Sequence, residues 1–199
     1  KQNTSQLALK KMVGDRLYEN DIYKRLLDEE GNRCWTLNYA NEFHMDILPA
    51  IPDENIRMMG DLYTDAVLIT DKKKIENKDP EWPKSNPRGY VRWFRLQQEV
   101  VFTTLRAQLA KVAKADVDEI PEYRVKTPLQ GAIQILKRHR DIYFSTKNLK
   151  HKPISIIITT LSAILYNGQS DIYTAINNIL SGLNENMIIN EGKFNIPNP

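Results

Sequence analysis

Phe43-His44-Met45-Asp46-Ile47-Leu48-Pro49-Ala50 is the stretch whose reading decides the fold. Its alternation is that of a strand: Phe43, Met45 and Ile47 share one face, His44, Asp46 and Leu48 the other, and Pro49 ends the pairing. Asp46 therefore projects away from the more apolar side. A carboxylate in mid-strand has poor β-propensity and is costly if buried unpaired, so it needs a basic partner, exposure on a solvated sheet face, or a cation to bind. Just upstream, Trp35, Leu37 and Tyr39 alternate in the same way and predict a preceding strand, after the turn residues Glu29-Glu30-Gly31-Asn32. A β-branched run predicts a third strand at residues 66–70. Before them all, Leu7, Met12, Val13, Leu17, Ile22 and Leu26 recur at helical spacing and predict one broken helix or two, with Gly14 a weak point.

Downstream of the Pro-rich passage 79–87 the character changes to four helical patterns, with strand signal returning only at Met187-Ile188-Ile189. Ser85 or Asn86 can cap a helix with Pro87 in its first turn, its stripe running from Tyr90 through Val91, Phe94, Val101, Leu105 and Leu109 to Val112. Thr127-Pro128 repeats the start signal for a helix burying Leu129, Ile133, Leu136, His139 or Arg140, and Tyr143, with Lys137 on its flank. Pro153 opens the next helix, placing Ser155 in a first turn where free N–H groups favour an anion. Ser170-Asp171 caps the last. The pattern predicts a small sheet in residues 1–83 and a helical lobe in residues 84–199.

Composition bounds the function. The chain has 199 residues and a formal charge of +3, with 41% hydrophobic and 27% charged residues. That is an ordinary globular balance, neither disordered nor basic enough to require nucleic-acid binding. The run 154–166 is broken by Ser155, Thr159, Thr160 and Ser162, too short and polar to span a bilayer. A single cysteine, Cys34, excludes an internal disulfide framework and suits a cytoplasmic protein. No phosphate-binding glycine loop, His-x-x-x-His pair or Ser-His-Asp signature occurs, and Asp116-Val117-Asp118 falls in a polar link and reads as a solvated acidic turn.

Four segments in order carry a more specific signal: 43–50, quoted above; Ser85-Asn86-Pro87-Arg88-Gly89-Tyr90-Val91-Arg92-Trp93-Phe94; Thr127-Pro128-Leu129-Gln130-Gly131-Ala132-Ile133-Gln134-Ile135-Leu136-Lys137-Arg138-His139-Arg140-Asp141; and Lys152-Pro153-Ile154-Ser155-Ile156-Ile157-Ile158-Thr159-Thr160-Leu161. Together they resemble the bacterial cGAS/DncV-like nucleotidyltransferases, the SMODS-type cyclases of CBASS anti-phage defence. The resemblance implies an α+β fold, a partial polymerase-β-like nucleotidyltransferase sheet followed by a mostly helical C-terminal lobe. It implies nucleoside triphosphates such as ATP or GTP as substrates and a cyclic di- or trinucleotide second messenger as product. It also implies two Mg²⁺ (or Mn²⁺) ions, with Asp46 as the third catalytic and metal-binding carboxylate, and Lys137 and Ser155 as triphosphate contacts.

The sequence departs from the family pattern in one respect. It contains no Gly-Ser dipeptide and no Asp-x-Asp before Asp46. It therefore reads as a piece truncated at both ends, lacking the N-terminal part of the same protein and expected to be inactive alone. Two other readings compete: a non-catalytic helical module that binds protein or RNA, and a linear-product relative of the oligoadenylate-synthase kind.

Overall fold

The computed structural model describes residues 4–40, 42–147, 152–186, 189–190 and 193–194, with side chains described through residue 183. The chain divides into two compact units, Lys1–Tyr90 and Val91–Pro199.

In the first unit the N-terminal pattern resolves into two helices, α1 (Gln6–Glu19) and α2 (Asp21–Leu26). Asn20 separates them, because its side chain accepts from the N–H groups of Ile22 and Tyr23 and so starts α2 afresh. The two predicted strands form an antiparallel hairpin, β1 (Trp35–Tyr39) and β2 (Phe43–Ile47), with Trp35 opposite Ile47 and Thr36 opposite Asp46. The β1–β2 pairing ends at Ile47, before Pro49, as expected, and a second sheet follows. Residues Ala50–Pro52 form a further strand, β3, which pairs with β4 (Val67–Ile69), and β4 pairs with β5 (Lys84–Ser85). Proline is tolerated there because β3 lies at a sheet edge, where its missing N–H breaks no ladder. Short helices α3 (Glu54–Arg57) and α4 (Lys72–Glu76) fill the connections.

Gly14 is no weak point. A Cβ at this position would stand 2.3 Å from Cζ2 of Trp35, whose side chain is 7% exposed and whose Nε1 donates to Lys10 O at 3.1 Å. The glycine lets α1 close on the indole. Gly14→Ala normally stabilises a helix by up to about 1 kcal/mol, but overpacking here costs about 1–3 kcal/mol. Urea denaturation is expected to show a net loss of stability on Gly14→Ala; a gain would contradict this packing.

Lys10, 2% exposed, reinforces the same contact by donating from Nζ to the carbonyls of Gly31 (2.7 Å) and Asn32 (2.8 Å), with Glu30 at 3.6 Å. Burial lowers its pKa, and the Glu30 carboxylate partly offsets that.

The second unit is helical. Helix α5 (Pro87–Leu96) starts at Asn86, whose Oδ1 accepts from Gly89 N–H at 3.0 Å. The stripe predicted as one helix to Val112 is in fact two, because α5 ends and α6 (Glu99–Ala113) begins across Gln97 and Gln98. Gln98 has φ −127° and ψ 6°, outside the helical range, and its buried Oε1 accepts the Thr127 hydroxyl proton. A tertiary hydrogen bond, rather than proline or glycine, makes this break. Asp116–Asp118 belongs to a surface 3-10 turn closed by an Asp116/Glu119 capping box.

Helix α7 (Pro128–Phe144) starts at Thr127, with Gln130 completing a capping box, and α9 (Ile172–Asn186) starts at Asp171, whose Oδ1 accepts from Thr174 N–H. Helix α8 (Ser155–Leu165) begins two residues after the expected Pro153, with Ile154 at its N-cap. Leu129, Ala132, Ile133, Ala163, Tyr166, Ala175 and Ile179 form the α7–α8–α9 core, and Trp93, Phe94 and Val101 pack against it. The buried face of α7 passes from Leu136 to Arg140; His139 and Tyr143 are exposed and stack on each other instead. Backbone pairing joins β6 (Ile189–Asn190) to β7 (Lys193–Phe194). The Met187 and Ile188 part of the expected last strand lies outside the described residues. No helix among the described residues is long and apolar enough to cross a membrane.

Candidate functional site

In the first unit, β2 carries Asp46 on the face it shares with His44 and with Thr36 across the hairpin. Among the described residues no lysine or arginine compensates the carboxylate. Its Oδ1 accepts the Thr36 hydroxyl at 2.7 Å, its Oδ2 lies 4.0 Å from His44 Nε2, and its side chain is 45% exposed. The hydroxyl fixes one oxygen and leaves the other open to solvent. Among the described residues no three His, Cys, Asp or Glu side chains converge. Asp46 thus fits the role of a single carboxylate ligand, and these residues alone do not close a divalent-cation site.

In the second unit, the capping box starts α7 so that Lys137 and Arg140 fall near the N-terminus of α8. Arg140 is the organiser. Its Nη1 donates to Pro153 O (3.0 Å) and to Ser155 Oγ (3.1 Å), while Nε and Nη2 donate to Asp141 Oδ1 (3.0 and 2.8 Å). Lys152 also donates to Asp141 Oδ1, at 2.8 Å. The ammonium of Lys152 and then the guanidinium hold the Asp141 carboxyl below its ordinary range. The arrangement clamps the end of α7 to the start of α8.

Ser155 is the first residue of α8, and with an isoleucine at the N-cap no side chain among the described residues caps the first-turn N–H groups. Its hydroxyl accepts from Arg140 rather than acting as a local cap. Those N–H groups and the positive end of the helix dipole favour an anion. Lys137 is partly buried and no described carboxylate pairs with it. Burial, and then the nearby Arg140 charge, lowers its pKa. An unpaired, partly desolvated ammonium beside a guanidinium is an arrangement that polyphosphate relieves. Lys137 and Ser155, expected from sequence, thus flank one arginine whose part was not expected. The available signal was the basic run 137–140 ending at Asp141, with the helix-start residues 152–155 next in order.

The direction of the Lys137 shift has a measurable consequence. A lowered folded pKa means that the unfolded chain binds more protons between the folded value and the ordinary lysine value, so this group's contribution to stability rises with pH across that window. A bound polyphosphate restores the ammonium. Calorimetry of GTP binding in buffers of different ionisation enthalpy is therefore expected to show proton uptake that grows as pH rises toward the lowered pKa. Lys137→Met is expected to abolish it.

No family model matches the chain. It is 36% identical over 187 residues to a c-di-GMP synthase of Roseivirga ehrenbergii, covering 92% of this chain and 45% of that protein. It is 29% identical over 133 residues to the cyclic dinucleotide synthase CdnG of Bradyrhizobium diazoefficiens, covering 61% of this chain and 30% of that protein. The solved structure of the Bradyrhizobium diazoefficiens CD-NTase CdnG in complex with GTP matches with a TM-score of 0.59 over 91% of this chain and 52% of that one, at 19% identity, a likeness of fold. The chain spans about half or less of the length of each. In sequence and in fold the chain is similar to these cyclic dinucleotide synthases and CD-NTases, in keeping with the resemblance carried by the four segments.

Proposed function

We propose that this chain is the third-carboxylate and helical-lobe portion of a cyclic dinucleotide synthase that uses GTP and serves in anti-phage defence. The observation that carries the reading is the Arg140-centred corner, where an unpaired Lys137 and an uncapped helix start meet in a chain that is 36% identical to a c-di-GMP synthase. Lys137 and the first turn of α8, with Ser155, bind the β- and γ-phosphates, and Arg140 positions Ser155. Asp46 supplies one ligand to Mg²⁺ (or Mn²⁺), the remaining carboxylates coming from an Asp-x-Asp strand of the kind that this sequence does not show before Asp46. Such ions, when bound, neutralise the triphosphate and activate the attacking hydroxyl. Within the first unit Thr36 holds one Asp46 oxygen and leaves the other free to act as ligand or proton acceptor; within the second, Lys137 offsets polyphosphate charge.

Product analysis tests the reading. A polypeptide that joins this chain to its Gly-Ser and Asp-x-Asp segment is expected to convert labelled GTP to a phosphatase-resistant cyclic dinucleotide. A linear, phosphatase-sensitive product places it with the oligoadenylate-synthase kind instead, and no product at all supports a binding module.

A further inference from the structure

The second unit contains a cavity of about 650 Å³ between α5, α6, the start of α7 and the 3-10 turn Glu122–Arg124. This is within the size range of small-molecule sites. Its lining combines features that a packing defect would not. Gln98 is only 5% exposed, yet its amide is half used: Oε1 accepts the Thr127 hydroxyl, and Nε2 has no acceptor among the described residues. Thr127 Oγ1 already accepts from Gln130 N–H, so its single proton goes to Gln98, which leaves the Gln98 NH₂ as the free donor. Gln130 repeats the pattern, its Oε1 accepting from Thr127 N–H at 3.2 Å. Phe102 and Tyr123 supply ring faces, Tyr123 being 73% exposed, and Glu122 brings a carboxylate that meets Arg95 at 3.2 Å.

We infer that this cavity takes a guanine-type base, with the Gln98 and Gln130 amides on its acceptor edge and the Glu122 carboxylate on its N–H edge, the ring lying against Phe102 and Tyr123. Guanine presents O6 and N7 as acceptors and N1–H and N2–H₂ as donors. Adenine answers the carboxylate with one amino group beside an unprotonated ring nitrogen, which repels it. A buried donor left unmet by the wrong base costs far more than the right one gains. The inference rests on the nucleotide reading proposed above and adds to it which base is chosen and by which residues. Gln130 and Lys137 are seven residues apart on nearly one face of α7, about 10 Å of helix rise. That separation lets a base at one end and a polyphosphate at the other belong to one nucleotide.

Calorimetric titration of this chain with guanosine, adenosine and GTP tests it. Guanosine is expected to bind about tenfold or more tightly than adenosine, as one bidentate pair gives. Glu122→Gln, a change at an exposed side chain, is expected to erase that preference, and Tyr123→Ala to weaken both nucleosides. Equal binding of the two nucleosides, or a preference unchanged in Glu122→Gln, overturns the base assignment. GTP binding without guanosine binding overturns it too, while leaving the phosphate corner standing. Guanosine binding with no further gain from the triphosphate supports the pocket and removes the Lys137 reading.

Discussion

Asp46→Asn, made in a polypeptide that joins this chain to the Gly-Ser and Asp-x-Asp segment, is expected to abolish cyclic dinucleotide formation from labelled GTP, a loss of about 10³-fold or more, in keeping with removal of a charged group from a transition-state cluster. The substitution keeps shape and removes charge. The amide oxygen still accepts from Thr36, and the side chain is already 45% exposed, so the fold loses little. A surface change of this kind alters stability by about 0.5 kcal/mol or less. Denaturation midpoints of the two forms should therefore nearly coincide while turnover collapses. Retained turnover in Asp46→Asn would show that the carboxylate is a structural feature of the hairpin.

The second large effect is expected at Lys137. Hydrogen bonds to charged groups contribute about 1.5–3 kcal/mol, so Lys137→Ala should weaken GTP binding by roughly 10- to 100-fold. Guanosine binding should stay unchanged, because the nucleoside carries no phosphate. Added salt should shrink the difference only in part, since the ammonium is partly buried and buried charges are screened less. Removing Lys137 leaves Arg140 with its partners Asp141, Pro153 and Ser155 intact, so the effect reports on the ligand and not on the clamp.

Much of this arrangement was legible in the sequence because it depends on local chemistry. Thr127-Pro128, Asn86 before Pro87 and Asp171 announce helix starts by the hydrogen bonds their own side chains make. Alternation placed Asp46 on its face of β2; the hairpin register that sets Thr36 opposite it is a finding of the structure. What stayed hidden depends on partners distant in the chain. Nothing near Gln98 marks the break between α5 and α6, since its hydrogen-bond partner is Thr127, 29 residues on. Gly14 read as a flaw because Trp35, 21 positions later by number, fills the space its missing side chain leaves. No strand was expected at residues 50–52, because nothing local shows that β4 will pair with them. The clamp made by Arg140 stayed hidden because its guanidinium meets Pro153, 13 residues on, at the start of α8.

The central claim is that the α7–α8 corner, with Lys137 and Ser155 beside Arg140, binds the triphosphate of a nucleotide. Paramagnetic broadening by Mn²⁺–GTP, read by NMR on this chain with Zn²⁺-free buffer and Mg²⁺–GTP as the diamagnetic reference, tests it most directly. The resonances of Lys137 and Ser155 are expected to broaden together, and Lys137→Ala to release that of Ser155. No broadening at the corner, or broadening of Ser155 unchanged in Lys137→Ala, contradicts the claim.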